Sequence, residues 1–146
     1  MDIIVYFILF VIWVLIEKGV HLRTLFWNKK MKDFLKEIKI YMEEFNMPQS
    51  LFEEFFHTIK EKKFYKSITE SNKPNDLLVL KFLMLYFYHK LISGELHFCG
   101  VLSPQGMDYK KYFQDILRLM FIKNYITKQE LDDTIENVNY YIREVG

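Results

Sequence analysis

The sequence contains no alanine; Ile, Leu, Phe, Tyr, Lys and Asn stand in its place. A single cysteine, Cys99, excludes an intrachain disulfide framework and a four-cysteine zinc module. Three prolines and five glycines exclude collagen-like and linker-like chains. Arginine occurs three times, and the formal net charge of +1 gives no overall pull toward nucleic acid. There is no phosphate loop, GxSxG, GxGxxG, HExxH, CxxC or kinase signature, which argues against the common nucleotide-using and hydrolase classes. What is present is apolar: 51% of 146 residues are hydrophobic and 18% aromatic, with 14 Phe, 10 Tyr and 2 Trp. That fraction excludes a disordered chain. The length suits one ordinary domain, or a small domain plus an anchor. Usage rich in Lys, Ile and Asn without Ala points to an AT-rich genome.

Residues Ile3 to Ile16 form an uncharged run. As a helix it is about 21 Å long at ~1.5 Å per residue, short of a bilayer core of roughly 30 Å. Extension through Gly19, Val20 and Leu22 reaches a spanning length, with Glu17 and Lys18 near the interface, where a lysine stem can snorkel. Tyr6, Trp13 and Trp27 add interface-preferring rings. A cleaved signal peptide would need a basic start and a small-residue cleavage site; Met1-Asp2 opens the chain and no such site follows. A buried core helix is the other alternative, but the run has no polar face. The reading adopted is a single-pass anchor over 1–27, contacting the membrane through residues 3–22. Only Asp2 precedes the run, while Lys18, Arg23, Lys29, Lys30 and Lys32 follow it. The excess of basic charge then places the N-terminus outside and residues 28–146 in the cytoplasm.

The rest reads as an all-α domain, a five-helix bundle. Met31, Phe34, Leu35, Ile38, Met42 and Phe45 form one helical stripe, with Asn28 as its cap and Pro48 at its end. A second helix opens at Ser50 with a capping box to Glu53, carries Leu51, Phe52, Phe55, Phe56 and Ile59, and runs on to about Ile68. Asp76 can cap a third, Leu77 to Ile92, apolar on nearly all sides and therefore central in the bundle. Ser103-Pro104 opens a fourth, with Tyr109, Tyr112, Phe113, Ile116, Leu117, Met120 and Phe121 inward and Asn124 as a left-handed stop. The box Thr127–Glu130, with Ile126 and Leu131 as a staple, opens a fifth that buries Leu131, Ile135, Val138, Ile142 and Val145. Its outer face is acidic: Glu130, Asp132, Asp133, Glu136 and Glu144 against Arg143. No strand is expected, because the alternating Glu95 to Cys99 has no second run to pair with. The segment Ile122 to Val138 (IKNYITKQELDDTIENV) resembles the second half of short C-terminal oligomerisation modules of membrane-associated bacterial proteins. It lacks their glycine, with Asn124 and Tyr125 there instead, and any capped helix start looks similar, so no assignment rests on it.

The loop Ser93 to Asp108 holds Gly94, Gly100 and Gly106 together with Glu95, His97, Cys99, Ser103 and Asp108. A Cys–His pair makes a thiolate nucleophile when a third group orients the histidine. In an extended segment His97 and Cys99 would share a face, so an enzyme with its site between Gly94 and Gly106 is one alternative. His97, Cys99 and Glu95 fall short of the usual zinc donor set, and no metal or cofactor is expected. Glycines concentrated in one loop on a rigid bundle mark a candidate interaction surface. Lys60, Lys62, Lys63 and Lys66, interleaved with Phe64 and Tyr65, read as a solvated face, with no nucleic-acid partner expected. The expected function is a membrane-anchored, adaptor- or scaffold-type helical module that binds an unidentified protein or a second copy of itself. A phage or bacterial immunity or defence protein is a further alternative.

Overall fold

The computed structural model describes residues 5–9 and 29–145. Val5 to Leu9 is helical, and each of its five apolar side chains is exposed. The remainder of the run expected as an anchor, with Trp13, Trp27, Lys18, Arg23 and the Asn28 cap, lies outside the described residues, as do the side chains of Glu144 and Val145. Among the described residues no helix is long and apolar enough to cross a membrane.

Helix α1 (Lys29–Glu44) buries Met31, Phe34, Ile38, Tyr41 and Met42, the expected stripe widened by a tyrosine. It stops at Asn46, whose φ of 56° reverses the chain. The Asn46 amide donates to the Glu43 carbonyl at 3.1 Å and the Met47 amide to that of Met42 at 2.8 Å. These are the two bonds of a Schellman motif.

The second expected helix is two: α2 (Ser50–Ile59) and α3 (Lys62–Thr69). The break at Glu61, whose backbone is extended, has a clear cause. On a continuous helix the face of Leu51, Phe55 and Ile59 would continue with Lys62, Lys63 and Lys66. The break rotates the following turn so that Phe64 and Ile68 face inward and those lysines face solvent. Ser50 lies inside α2 rather than at its cap, and no side chain caps that helix, so the box with Glu53 does not form.

Helix α4 (Asn75–Ile92) is the central one: it packs against α1, α5 and α6 and buries Val79, Leu80, Phe82, Leu83, Phe87 and Leu91. Pro74, not Asp76, occupies its cap position. Helix α5 (Pro104–Ile122) opens as expected, with the Gly106 amide donating to Ser103 Oγ at 3.0 Å and Pro104 in the first turn. It ends on a second Schellman motif at Asn124, φ 63°, closed by Tyr125 N to Met120 O at 2.8 Å. Helix α6 (Lys128–Val145) begins at a formed capping box: the Thr127 amide donates to Glu130 Oε1 and the Glu130 amide to Thr127 Oγ1, both at 3.1 Å. The domain is thus all-α in character, with six helices within residues 29–145 where five are expected.

The expectation of no strand is also corrected. β1 (His97–Phe98) and β2 (Val101–Leu102) pair antiparallel, His97 opposite Leu102 and Phe98 opposite Val101. Cys99 and Gly100 make the turn with φ of 52° and 80°. Positive φ at both central residues is what a two-residue type I′ turn requires. The hairpin seats on α5 at Gly106, where an added Cβ would stand 2.6 Å from the Leu96 carbonyl oxygen. In a chain without alanine, this glycine gives the close approach.

The core is a continuous cluster fed by all six helices and by Leu96. Its centre is a ring network, in which Phe82 packs edge-on against Phe34, Phe55 and Phe64, and Phe87 against Phe55, Tyr86 and Tyr109. Such pairs add about 0.5–1.5 kcal/mol each beyond area burial. Phe64, partly buried, packs against this core through Phe34 and Phe82.

Candidate functional site

The glycine loop becomes the wall of a groove. Gly100, Val101 and Leu102 line it together with Met107 and Lys110 of α5. Asp132, Ile135, Glu136, Asn139, Ile142 and Arg143 of α6 complete it, enclosing about 730 Å³. The hairpin touches α6 directly, with the Arg143 Cα 3.9 Å from where a Gly100 Cβ would lie. Cross-strand partners point to the same face of a hairpin. His97 and Leu102 face inward, while Phe98 and Val101 face out beside the groove. Phe98 is 80% exposed, Val101 70% and Met107 62%. Val101 and Met107 line the groove, and Phe98 stands opposite Val101 on the hairpin.

The charges of the groove are mixed in sign. Asp132 is held by Lys128 at 2.9 Å on the same helix. Glu136, Lys110 and Arg143 form no ion pair among the described residues. Asn139 Oδ1, also lining the groove, is buried without a hydrogen-bond partner.

The five loop residues singled out from the sequence do not converge. Ser103 is a helix cap. Glu95 and Asp108 are exposed. His97 is only 7% exposed, and neither ring nitrogen has a partner. Cys99 is exposed at the turn. The turn therefore separates the thiol from the imidazole, and among the described residues no third group orients His97. The same-face arrangement expected of an extended segment is not formed. No group of three or more His, Cys, Asp or Glu side chains among the described residues is placed to hold a metal ion.

Of the flanking basic residues within the described part, Lys29 and Lys32 are exposed. Lys30 is half-buried and turned inward: its Nζ donates to the Ser71 carbonyl, and its own carbonyl accepts from Asn75 Nδ2 at 3.3 Å.

A polar cluster invisible in the sequence ties α1, α4 and the α5–α6 connection together. Asp76 accepts from Tyr41 on Oδ1, and on Oδ2 from Tyr125 at 2.7 Å and Lys123 Nζ at 2.9 Å. Lys123 also donates to the Tyr41 hydroxyl at 2.7 Å. Burial raises the Asp76 carboxyl, but the three hydrogen bonds outweigh it and hold the group below its ordinary range. Burial and the bond to Asp76 push Tyr41 up to about 12, and hydrogen bonds with Tyr41 and Asp76 raise Lys123. Every one of these shifts moves away from neutrality, opposite to what an acid–base catalyst needs. The cluster is a clamp. Glu37 beside it is raised by burial and by Asp76 and Asp33, and its Oε2 is buried without a partner. Only Asp76, an acidic residue in the first turn of α4, stands out in the sequence; its partners lie 35, 47 and 49 positions away.

No protein-family model, curated protein or solved structure matches the chain.

Proposed function

We propose that the chain is a helical protein–protein interaction module, held at a membrane by its N-terminal apolar segment, that docks its partner in the groove between the hairpin, α5 and α6. One observation carries the docking half: Phe98, Val101 and Met107 stand exposed beside a groove in which Glu136, Lys110 and Arg143 have no ion-pair partner among the described residues. A surface of that kind is complementary to another protein, with apolar contacts supplying affinity and charges supplying orientation. The anchor half rests on the uncharged run from Ile3 to Ile16 and on the basic residues after it; Val5 to Leu9 being helical and exposed is in keeping with it. The bundle then faces the cytoplasm.

Carbonate-washed membranes retain the chain on this reading, and recovery in the soluble fraction contradicts the anchor. A reporter fused after Gly146 reads the cytoplasmic side. For docking, the Cys99 thiol in native membranes reacts more slowly with a maleimide in the wild type than in Phe98→Asp; equal rates contradict an occupied groove.

A further inference from the structure

The charges of the groove point to its occupant. Glu136 and Arg143 lie seven residues apart on α6, on one face of the helix and about 10 Å apart along its axis. They cannot pair with each other, and neither has an ion-pair partner among the described residues. The groove is thus polarised along α6. Arg143 marks the end beside the hairpin, and Glu136 the end toward the helix N-terminus, where Asp132 adds a second carboxylate, one already paired with Lys128. Counting Lys110, two basic and two acidic side chains line it, for no net charge.

A surface with opposite charges at its two ends complements itself under a two-fold rotation, which lays the basic end of one copy on the acidic end of the other. The apolar relief fits the same operation. Phe98 and Val101 project at one end, while Ile135 of the recess lies toward the other. A formal charge of +1 lets two copies approach without strong repulsion.

We infer that the groove receives the same groove of a second copy of this chain, in a two-fold dimer with Arg143 of each copy facing Glu136 of the other. This rests on the docking reading above and names its partner.

The test is the mass of the purified full-length chain in detergent micelles, by sedimentation over a concentration series. The wild type dimerises. Glu136→Arg and Arg143→Glu, both at exposed positions, each weaken the dimer about tenfold or more, with helix content unchanged. The double swap Glu136→Arg with Arg143→Glu restores wild-type affinity. Because the two side chains cannot meet within one copy, that rescue arises only between copies. A wild type that stays monomeric, a double swap no tighter than either single variant, or a dimer indifferent to Glu136→Arg each overturns the inference. If the purified chain is monomeric while Cys99 in native membranes is still shielded relative to Phe98→Asp, the second copy is excluded and a different protein fills the groove. If Cys99 is equally reactive in both, the docking reading falls as well.

Discussion

Replacing Asp76 by alanine removes the acceptor on which two tyrosines and a lysine converge. A hydrogen bond to a charged group contributes about 1.5–3 kcal/mol when well buried. Here the Asp76 and Lys123 side chains are 29% and 35% exposed. Solvent screening therefore limits the ion pair to at most about 1 kcal/mol. The tyrosine hydroxyls contribute about 1 kcal/mol each. The expected loss is about 3 kcal/mol, or roughly 10 °C in Tm for a chain of this size. Thermal unfolding of the full chain in detergent, followed by far-ultraviolet circular dichroism, measures it. A double-mutant cycle with Tyr125→Phe should give a coupling of at least about 0.5 kcal/mol, since the two groups are in contact. The pH profile carries the sign of each shift. Asp76 is held below its ordinary value, so its contribution is present above about pH 4 and is lost as pH falls through the lowered value. Tyr41 and Lys123 are raised, so theirs is present below about pH 10 and lost as pH climbs, through about 12 for Tyr41. Asp76→Asn should remove the acid limb and weaken the alkaline one, part of which burial of Tyr41 sustains. A loss under about 0.5 kcal/mol, or an additive cycle, refutes the clamp.

Other substitutions read the hairpin seat and the buried polar atoms. Gly106→Ala adds a methyl 2.6 Å from the Leu96 carbonyl oxygen; despite the better helix propensity of alanine it should cost about 1–3 kcal/mol in thermal unfolding. A raised Tm would show that the hairpin does not seat there. His97→Leu replaces a buried imidazole that makes no hydrogen bond, so stability should rise by about 1 kcal/mol in a urea titration; a comparable loss would reveal a partner for the ring. Glu37→Gln removes a charge that burial and the neighbouring carboxylates of Asp76 and Asp33 disfavour. Because that carboxyl is raised, its ionisation lowers stability as pH rises, so the variant should be modestly more stable at neutral pH and unchanged in acid. The opposite order would place Glu37 in a favourable pair.

The helices were legible wherever one apolar face met one period. The stripes of α1, α5 and α6 need only local spacing, and the caps at Ser103 and Thr127 only residues three apart. The reading failed where a tertiary demand overrode local sense. The α2–α3 break is decided by which of Lys62 or Phe64 the core accepts, and only the neighbouring Phe34 and Phe82 answer that. The hairpin was missed because its turn is Cys-Gly rather than Asn-Gly, and two-residue strands are too short to alternate visibly. The glycine loop stands out in the sequence as a candidate surface, but the groove it lines does not: α6 supplies Glu136, Asn139 and Arg143 from far along the chain. The Asp76 clamp had no sequence signal beyond the aspartate itself, since hydrogen bonds across 35 or more positions leave no periodicity.

The central claim is that the groove beside the hairpin is occupied when the protein is in place. The single cysteine reports on it directly, because Cys99 is exposed at the turn of the hairpin that walls the groove. The measurement is the rate of Cys99 alkylation by a bulky maleimide in native membranes, relative to the rate in chain unfolded by denaturant. With the groove occupied, the wild-type thiol is shielded several-fold and the Phe98→Asp thiol reacts near the unfolded rate. A wild-type thiol as reactive as that of the variant contradicts that occupancy.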